Sequence, residues 1–350
     1  MEKRPTLADV AREAGVSKTT ASLALNGKGL NKIPDETRAR VRAAAEALRF
    51  RPHGVARALV RRRAETLGVV CTVHPFVELA HHAFEHALLS AIFHDALQRG
   101  YNPMIYAPPG DGAGEVDLRR YADGRSDAFV LLYPPAADGL PDYLEALGIP
   151  AVALCARRPC ANWRQVDSDN EAGIRAALGH LVALGHRRIA YLIGPGGEDH
   201  VDTRVQAFFA VLHERGLAVR QEWIQPFCNG AADTYAMVER LFAGAETPTA
   251  LLTWNDFAAE EVYKALRRLG RRIPEDVSII GFDDMPSSRV AVPPLTTVRQ
   301  DVVRLGRAAV DLALQALSAD AVNPAARVVV CPVELVLRQS TAPCRVTDCR

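Results

Sequence analysis

Apolar residues in the first sixty positions recur with helical spacing. Leu7, Val10, Ala11 and Ala14 fall at i, i+3, i+4 and i+7, one face of a helix. That helix opens at Thr6-Leu-Ala-Asp9, where a hydroxyl precedes a carboxylate by three positions in the manner of a capping box. Gly15 permits a tight turn, and Ser17 suits the cap of a second helix whose buried side is Ala21, Ala24 and Leu25. Proline and acids at Pro34-Asp35-Glu36 fit the first turn of a third, with Thr37, Val41, Ala44, Ala45 and Leu48 inward. With a short segment at Pro52–Leu59, residues 6–60 read as four short helices and no strand.

After the polar bridge Arg61–Glu65 the texture changes. Apolar, strand-like runs appear at Thr66–Thr72, Ala128–Tyr133, Ala151–Leu154, Arg188–Ile193, Ala250–Thr253 and Val277–Phe282. Helical patterns separate them at Leu88–Arg99, Ala172–Leu184, Val205–Arg215, Tyr235–Phe242 and Ala258–Leu269. Four of these end in glycine (Gly100, Gly185, Gly216, Gly270), a residue that accepts the left-handed conformation just past a helix. Strand–helix alternation of this kind implies parallel sheets covered on both faces. The stretch is long for one sheet, so two α/β lobes with a cleft between them are expected. The last ten residues, 341–350, carry no pattern and are expected to be a disordered tail.

Charge adds an asymmetry that the net value of +1 conceals. Residues 1–63 hold fifteen Lys/Arg against six Asp/Glu, whereas the rest holds 27 against 35. A basic head on an acidic body places a phosphate-backbone contact at one end. The basic start Met1–Thr6 is followed by no apolar stretch, which speaks against a secretory signal, and no run approaches the length of a membrane span. The seven cysteines are odd in number and form no Cys-x-x-Cys pair, which suits a reducing cytoplasm.

Small residues at the crossing of the first two helices, with Gly15 between them, describe a helix-turn-helix. Lys18, Thr19, Ser22 and Leu23 are then expected to point outward near the start of the second helix, toward base edges in the major groove. The run "TLADVAREAGVSKTTASLALNGKG…IPDETRARVRAAAEALRFRPHGVARAL" resembles the DNA-binding head of the lactose-repressor (LacI/GalR) family over residues 6–60. The resemblance implies base reading by Lys18, Thr19 and Leu23. Leu23 departs from the arginine of well-known members; it can pack on a thymine methyl but cannot fork onto guanine. Phosphate contacts are implied at Thr6, Ser17, Thr20, Ser22 and Asn26. The segment 52–59 would be a hinge helix that orders on DNA, with Leu59 as an apolar wedge in the minor groove. His53 and Arg57 join it as DNA contacts.

The resemblance extends through the body. It rests on Val166-Asp-Ser-Asp-Asn170 with Gly173, Gly185-His-Arg-Arg-Ile-Ala190, Pro248-Thr-Ala250 with Asn255-Asp256, Ile273–Asp284 and Pro293–Gln300. It implies a periplasmic-binding-protein-like pair of lobes joined by three crossover strands. The domains are then a head at 1–51, a hinge at 52–65 and a body at 66–340. Within the body the N-lobe is about 66–161 plus 292–322, and the C-lobe about 162–291 plus 323–340. Implied ligand contacts are Thr72, Phe84, Tyr133, Arg204, Asn255 and Asp283. A guanidinium fork at Arg204 suits a carboxylate, a phosphate or a pair of sugar hydroxyls. The acidic residue that many sugar-responsive members carry after the third strand is absent from Ala153-Leu-Cys-Ala-Arg-Arg158, which puts a simple neutral sugar in doubt.

Other chemistry is weaker. His81, His82 and His86, with His74 and His94 nearby, lack the accompanying motif of a metal enzyme. Gly194-Pro-Gly-Gly197 lacks the Lys-Ser/Thr ending of a phosphate loop. The pairs Asp167/Asp169 and Asp283/Asp284 have no nucleophile beside them. The expected function is therefore not enzymatic and needs no cofactor or metal. It is a sequence-specific transcriptional regulator, a repressor, whose affinity for pseudopalindromic double-stranded operator DNA is set by a small-molecule effector, a sugar or sugar derivative. It is expected to act as a cytoplasmic homodimer, away from membranes. A solute-binding protein would share the body but lack the head; a hydrolase or kinase would need a catalytic constellation.

Overall fold

The computed structural model describes residues 5–25, 33–51, 63–71, 83–107, 117–134, 139–157, 163–194, 199–227, 231–317 and 327–345. Asn26, His53, Arg57, Leu59 and Thr72 lie outside them, as do His74, His81, His82 and nearly all of the hinge segment. Backbone contacts divide the chain into two compact units, Met1–Ala64 and Glu65–Arg350.

The first unit contains α1 (Leu7–Glu13), α2 (Lys18–Leu25) and α3 (Asp35–Ala47). The capping box at Thr6 forms in full: the Asp9 amide donates to the Thr6 hydroxyl oxygen, and the Thr6 amide donates to the Asp9 carboxylate at 2.9 Å. Val10, Ala11, Ala14, Ala21, Ala24, Ile33, Val41, Ala44 and Ala45 make its core. Six of these nine are alanines, so the helices cross closely. Thr37 and Leu48 are half-buried rather than inside.

The second unit holds two six-stranded sheets. The chain first lays down β1 (Thr66–Cys71), α4 (Ala83–Gln98), β2 (Asn102–Tyr106), β3 (Ala128–Leu132), α5 (Leu140–Ala146), β4 (Ala151–Leu154) and β5 (Arg164–Ser168). It crosses over for α6 (Asn170–Ala183), β6 (Ile189–Ile193), α7 (Asp199–Glu214), β7 (Ile224–Pro226), α8 (Ala231–Phe242) and β8 (Ala250–Thr253). The same lobe continues with α9 (Asp256–Arg268), β9 (Ser278–Asp283), α10 (Pro286–Val290) and β10 (Thr296–Gln300). It crosses back for α11 (Val302–Gln315) and β11 (Val328–Cys331), and a last time for β12 (Val333–Val336).

The strand orders are β11-β5-β4-β3-β1-β2 and β12-β10-β9-β8-β6-β7, so both sheets repeat one topology. Every pairing is parallel except β10 with β12. Strands such as β3 and β8 are buried at every position, as parallel strands with helices on both faces must be. Helices α4 and α11 cover one face of the first sheet and touch at Gly306, where a Cβ would lie 2.8 Å from that of Ala91.

Two expectations are corrected. The lobe boundaries fall later than expected: β5 belongs to the first sheet and β10 to the second, so the crossings follow Ser168, Gln300 and Cys331. The reason is that β5, Arg-Gln-Val-Asp-Ser, buries Gln165, Asp167 and Ser168, polar side chains that do not read as a strand. Nor is the whole tail without structure. Cys344 donates its amide to Leu184 O at 2.8 Å, and His186 Nε2 lies 3.0 Å from Ala342 O, so 341–345 is tied to the second lobe.

Candidate functional site

In the first unit α2 presents Lys18 and Thr19, both exposed, from its first turn. Ser17 caps that turn: the Thr20 amide donates to its hydroxyl at 3.0 Å, and the two hydroxyls lie 2.8 Å apart. No acidic residue stands in the first turn of α2, so the positive end of the helix and Lys18 act in the same sense on an approaching anion. Thr6 and Ser17 are exposed, whereas Thr20, Ser22 and Leu23 are half-buried. Part of the Leu23 side chain packs against the head's apolar core.

In the second unit the polar residues gather at the C-terminal ends of parallel strands, where such sheets bind ligands. Four non-glycine residues with left-handed backbones sit there: Tyr133 after β3, Cys155 after β4, Asp283 at the end of β9, and Asp284. Strain concentrated at one edge marks a place where side-chain direction outranks backbone comfort.

Arg204 is 3% exposed. Its Nε donates to Asn170 Oδ1 at 2.8 Å, its Nη1 to the carbonyl of Trp254 at 2.7 Å, and its Cζ lies 3.6 Å from the centre of the Phe282 ring. Asn170 in turn donates to Asp167 Oδ2 at 3.0 Å. Asp283 accepts from Gln300 Nε2 at 2.7 Å. Burial drives the Asp283 carboxyl well above the ordinary range, against the pull of Arg204. The Asp167 carboxyl rises to about 6 for the same reason, countered by the Ser168 amide, Arg204 and Asn170. Burial also raises the Cys155 thiol, beside Asp167.

Asn255 is engaged through its side-chain oxygen, which caps α9 and accepts from the Ala258 amide at 2.8 Å. Phe84 is buried in the apolar cluster of the first lobe, and Tyr133 packs against that cluster. Sequence reasoning therefore placed Arg204 and Asp283 in one charged cluster but missed Asp167, Asn170, Trp254 and Gln300. The quoted motif Val166–Asn170 was the available signal for two of them.

Beyond Asp283, Asp284 is gripped by Arg338 and by Arg299, whose Nε donates at 2.7 Å. Burial opposes its charge, but these two guanidinium groups hold its carboxyl below the ordinary range. A cavity of about 560 Å³ opens here between Asp283, Arg299, Gln300 and Pro332, against two of the three crossovers. A local change at Asp283 thus lies next to the segments about which the lobes would turn.

Known proteins resemble the chain in both units. Residues 6–53 match the model of bacterial regulatory proteins of the lacI family, and residues 178–341 that of a periplasmic binding protein-like domain. The HTH-type transcriptional repressor PurR of Haemophilus influenzae is 30% identical over 341 residues, covering 96% of this chain and 98% of the relative. The HTH-type transcriptional regulator MalR of Streptomyces coelicolor is 32% identical over 351 residues, 96% of each. Among solved structures, the Lac repressor dimer bound to operator and the anti-inducer ONPF superposes with a TM-score of 0.84 at 28% identity, covering 97% of this chain and all of that one. A complex of the transcriptional regulator CelR with cellobiose gives 0.71 at 27% identity, covering 96% and 100%.

Proposed function

The chain belongs to the LacI family of bacterial regulatory proteins, and from that premise we propose how its two units divide the work. The protein is a DNA-binding transcriptional repressor whose affinity for operator DNA is set by a small molecule bound in its two-lobed body. The observation that carries this reading is the joining, in one chain, of a helix-turn-helix with Lys18 and Thr19 exposed to a body whose buried charges meet at strand ends.

Lys18 and Thr19 read base edges, with Leu23 offering an apolar edge. Thr6, Ser17, Thr20, Ser22 and Asn26 position the head on phosphates, and His53, Arg57 and Leu59 act in the minor groove. Two heads related by a dimer axis require a pseudopalindromic site. Among the described residues no helix is long and apolar enough to cross a membrane. The work is done in the cytoplasm, where the DNA is.

In the body, Arg204 and Asp283 hold the effector, with Thr72, Phe84 and Tyr133 as its walls and the Asn255 amide group at its rim. That relatives in fold are solved with small molecules, Lac repressor with the anti-inducer ONPF and CelR with cellobiose, supports a sugar-type effector. An effector acts only through unequal affinity for the DNA-competent and DNA-incompetent arrangements of the lobes. The test is selection of duplexes from a random pool by the full chain. A two-fold-symmetric motif is expected; enrichment with no symmetric motif overturns the dimeric operator reading.

A further inference from the structure

The first lobe holds another cavity, away from the charged cluster at the strand ends. It measures about 250 Å³ and is walled by Leu131 on β3, Pro141 on α5, Ile149, Ala151, Trp163 and Arg164. Ala151 begins β4 and Arg164 begins β5, so the cavity opens where these strands start. Ser168 closes β5, and four residue steps of strand put roughly 13 Å between it and Arg164. None of the residues that hold Arg204 lines this cavity.

Arg164 is half-buried, and among the described residues its guanidinium has neither a hydrogen-bond acceptor nor a carboxylate in ion-pair contact. Burial and then the charge of Arg327 press its pKa below the ordinary value, with only Glu145 opposing. Glu145 also lines the cavity, but it answers Arg327, whose Nη1 lies 3.8 Å away. Asp142 accepts from the Trp163 indole nitrogen at 2.8 Å. Both neighbouring acids are therefore engaged elsewhere. Arg164 is left as a partly desolvated cation with a planar fork of donors and no anion on it.

The other walls fix what kind of molecule fits. Leu131 and Pro141 are buried and apolar, and the bond to Asp142 holds the Trp163 ring in place. Sugar hydroxyls would lose water against such walls without gaining partners. A phosphate brings close to two negative charges, where Arg164 answers one. The volume falls below the roughly 300–1,000 Å³ of sites for drug-sized ligands, so the occupant is small. One carboxylate on a ring or a branched chain satisfies all three conditions.

We propose that this cavity is a second small-molecule site, separate from the effector's, which takes a compact apolar monocarboxylate. Arg164 grips the carboxylate through its guanidinium fork, and Leu131, Pro141, Ile149 and the Trp163 ring enclose the apolar body. The site stands at the end of the sheet where β1 also begins, at Thr66, just after the hinge segment. It does not depend on which molecule the effector is.

The experiment uses the three tryptophans of the full chain, whose indole N–H groups give three signals in proton–nitrogen spectra of the isotope-labelled protein. Trp163 stands in the cavity, and Trp254 reports on the effector cluster; Trp163→Phe and Trp254→Phe assign their signals. Benzoate, phenylacetate and 4-methylpentanoate are titrated near neutral pH beside benzamide, phenylacetamide and 4-methylpentanamide. The expected result is a saturable shift of the Trp163 signal by at least one carboxylate, with a Kd of about 1 mM or tighter and Trp254 unmoved. The matching amide is expected to bind at least about tenfold more weakly, and Arg164→Met to weaken the carboxylate by a similar factor without moving Trp254. If Arg164→Met does not fold, Arg164→Lys serves: it keeps the charge, loses the fork and is expected to bind with intermediate affinity. A Trp163 signal that no carboxylate moves overturns the site. Amides that bind as tightly as acids, or an Arg164 variant that binds as tightly as the parent, overturn the role of the guanidinium. A shift of Trp254 alone places the probe in the effector cleft and overturns the proposal while leaving the effector reading intact.

Discussion

The guanidinium of Arg204 sits over the ring of Phe282, with Cζ 3.6 Å from the ring centre. Phe282 precedes Asp283 on β9, and Arg204 reaches β9 from α7 while holding Asn170 at the start of α6. One side chain thereby links the first crossover to the strand that ends in Asp283. Lysine keeps the charge but loses the fork and the planar stack. Arg204→Lys is expected to weaken effector binding by about tenfold or more, read by calorimetry with a sugar or sugar derivative that raises the melting temperature of the full chain.

Asp256 shows that not every buried carboxylate waits for a ligand. Burial raises its carboxyl to about 7, yet its oxygens accept from Thr297 Oγ1 at 2.5 Å and from the Met285 amide at 2.8 Å. The space beside it is kept by Gly281, where a Cβ would collide with the Asp256 carboxylate and lie 2.8 Å from Leu295 Cδ2. Gly281→Ala should lower the unfolding free energy by roughly 1–3 kcal/mol, or more if the carboxylate cannot move, as measured in urea.

Acid should loosen the segment that closes the second lobe. His186 Nδ1 lies 2.9 Å from Thr249 Oγ1, and His180 Nε2 lies 3.0 Å from Thr341 Oγ1. Burial lowers both imidazoles from 6.5, so below that value the unfolded chain takes up protons before the folded one. Their contribution is intact above about pH 6.5 and is lost as the pH falls through the lowered folded values. Asp167 works in the opposite sense, its folded value of about 6 lying above 3.8, so stability from this group declines as pH rises through that window. The histidine effect is isolated by difference. Between pH 7 and pH 5 the melting temperature of His180→Gln/His186→Gln should fall less than that of the parent.

Base reading should depend on the exposed start of α2. Lys18→Ala is expected to cost about 1–3 kcal/mol in binding to the selected operator and to relax preference at one position. Fluorescence anisotropy on the selected duplex and on single-base variants measures both. An equal loss on all duplexes would make Lys18 a phosphate contact only.

Where the chemistry of a residue matches its place in the fold, the sequence is legible. The apolar runs of β3, β4 and β8 are buried throughout and read directly as strands. The capping box at Thr6 is written in residue types alone. In contrast β5 and β10 carry Gln165, Asp167, Thr296, Thr297 and Gln300 inside the protein, and polarity disguised them. The same disguise hid half of the site. Asp167 and Gln300 lie on strands that end where the chain changes lobe; the sheet order brings Gln300 beside Asp283, and Asn170 ties Asp167 to Arg204. Arg204 and Asp283 were reached through family resemblance, since nothing in their spacing marks them.

The central claim is that residues 6–60 grip duplex DNA on behalf of the body, and its most direct measurement is affinity for duplex DNA as a function of salt. The full chain is compared with one beginning at Thr66. Tight binding by the full chain is predicted, falling with a log–log slope of roughly −5 to −10 as phosphate contacts release counterions, with almost none from the shorter chain. Equal affinities and equal slopes for the two would contradict the account.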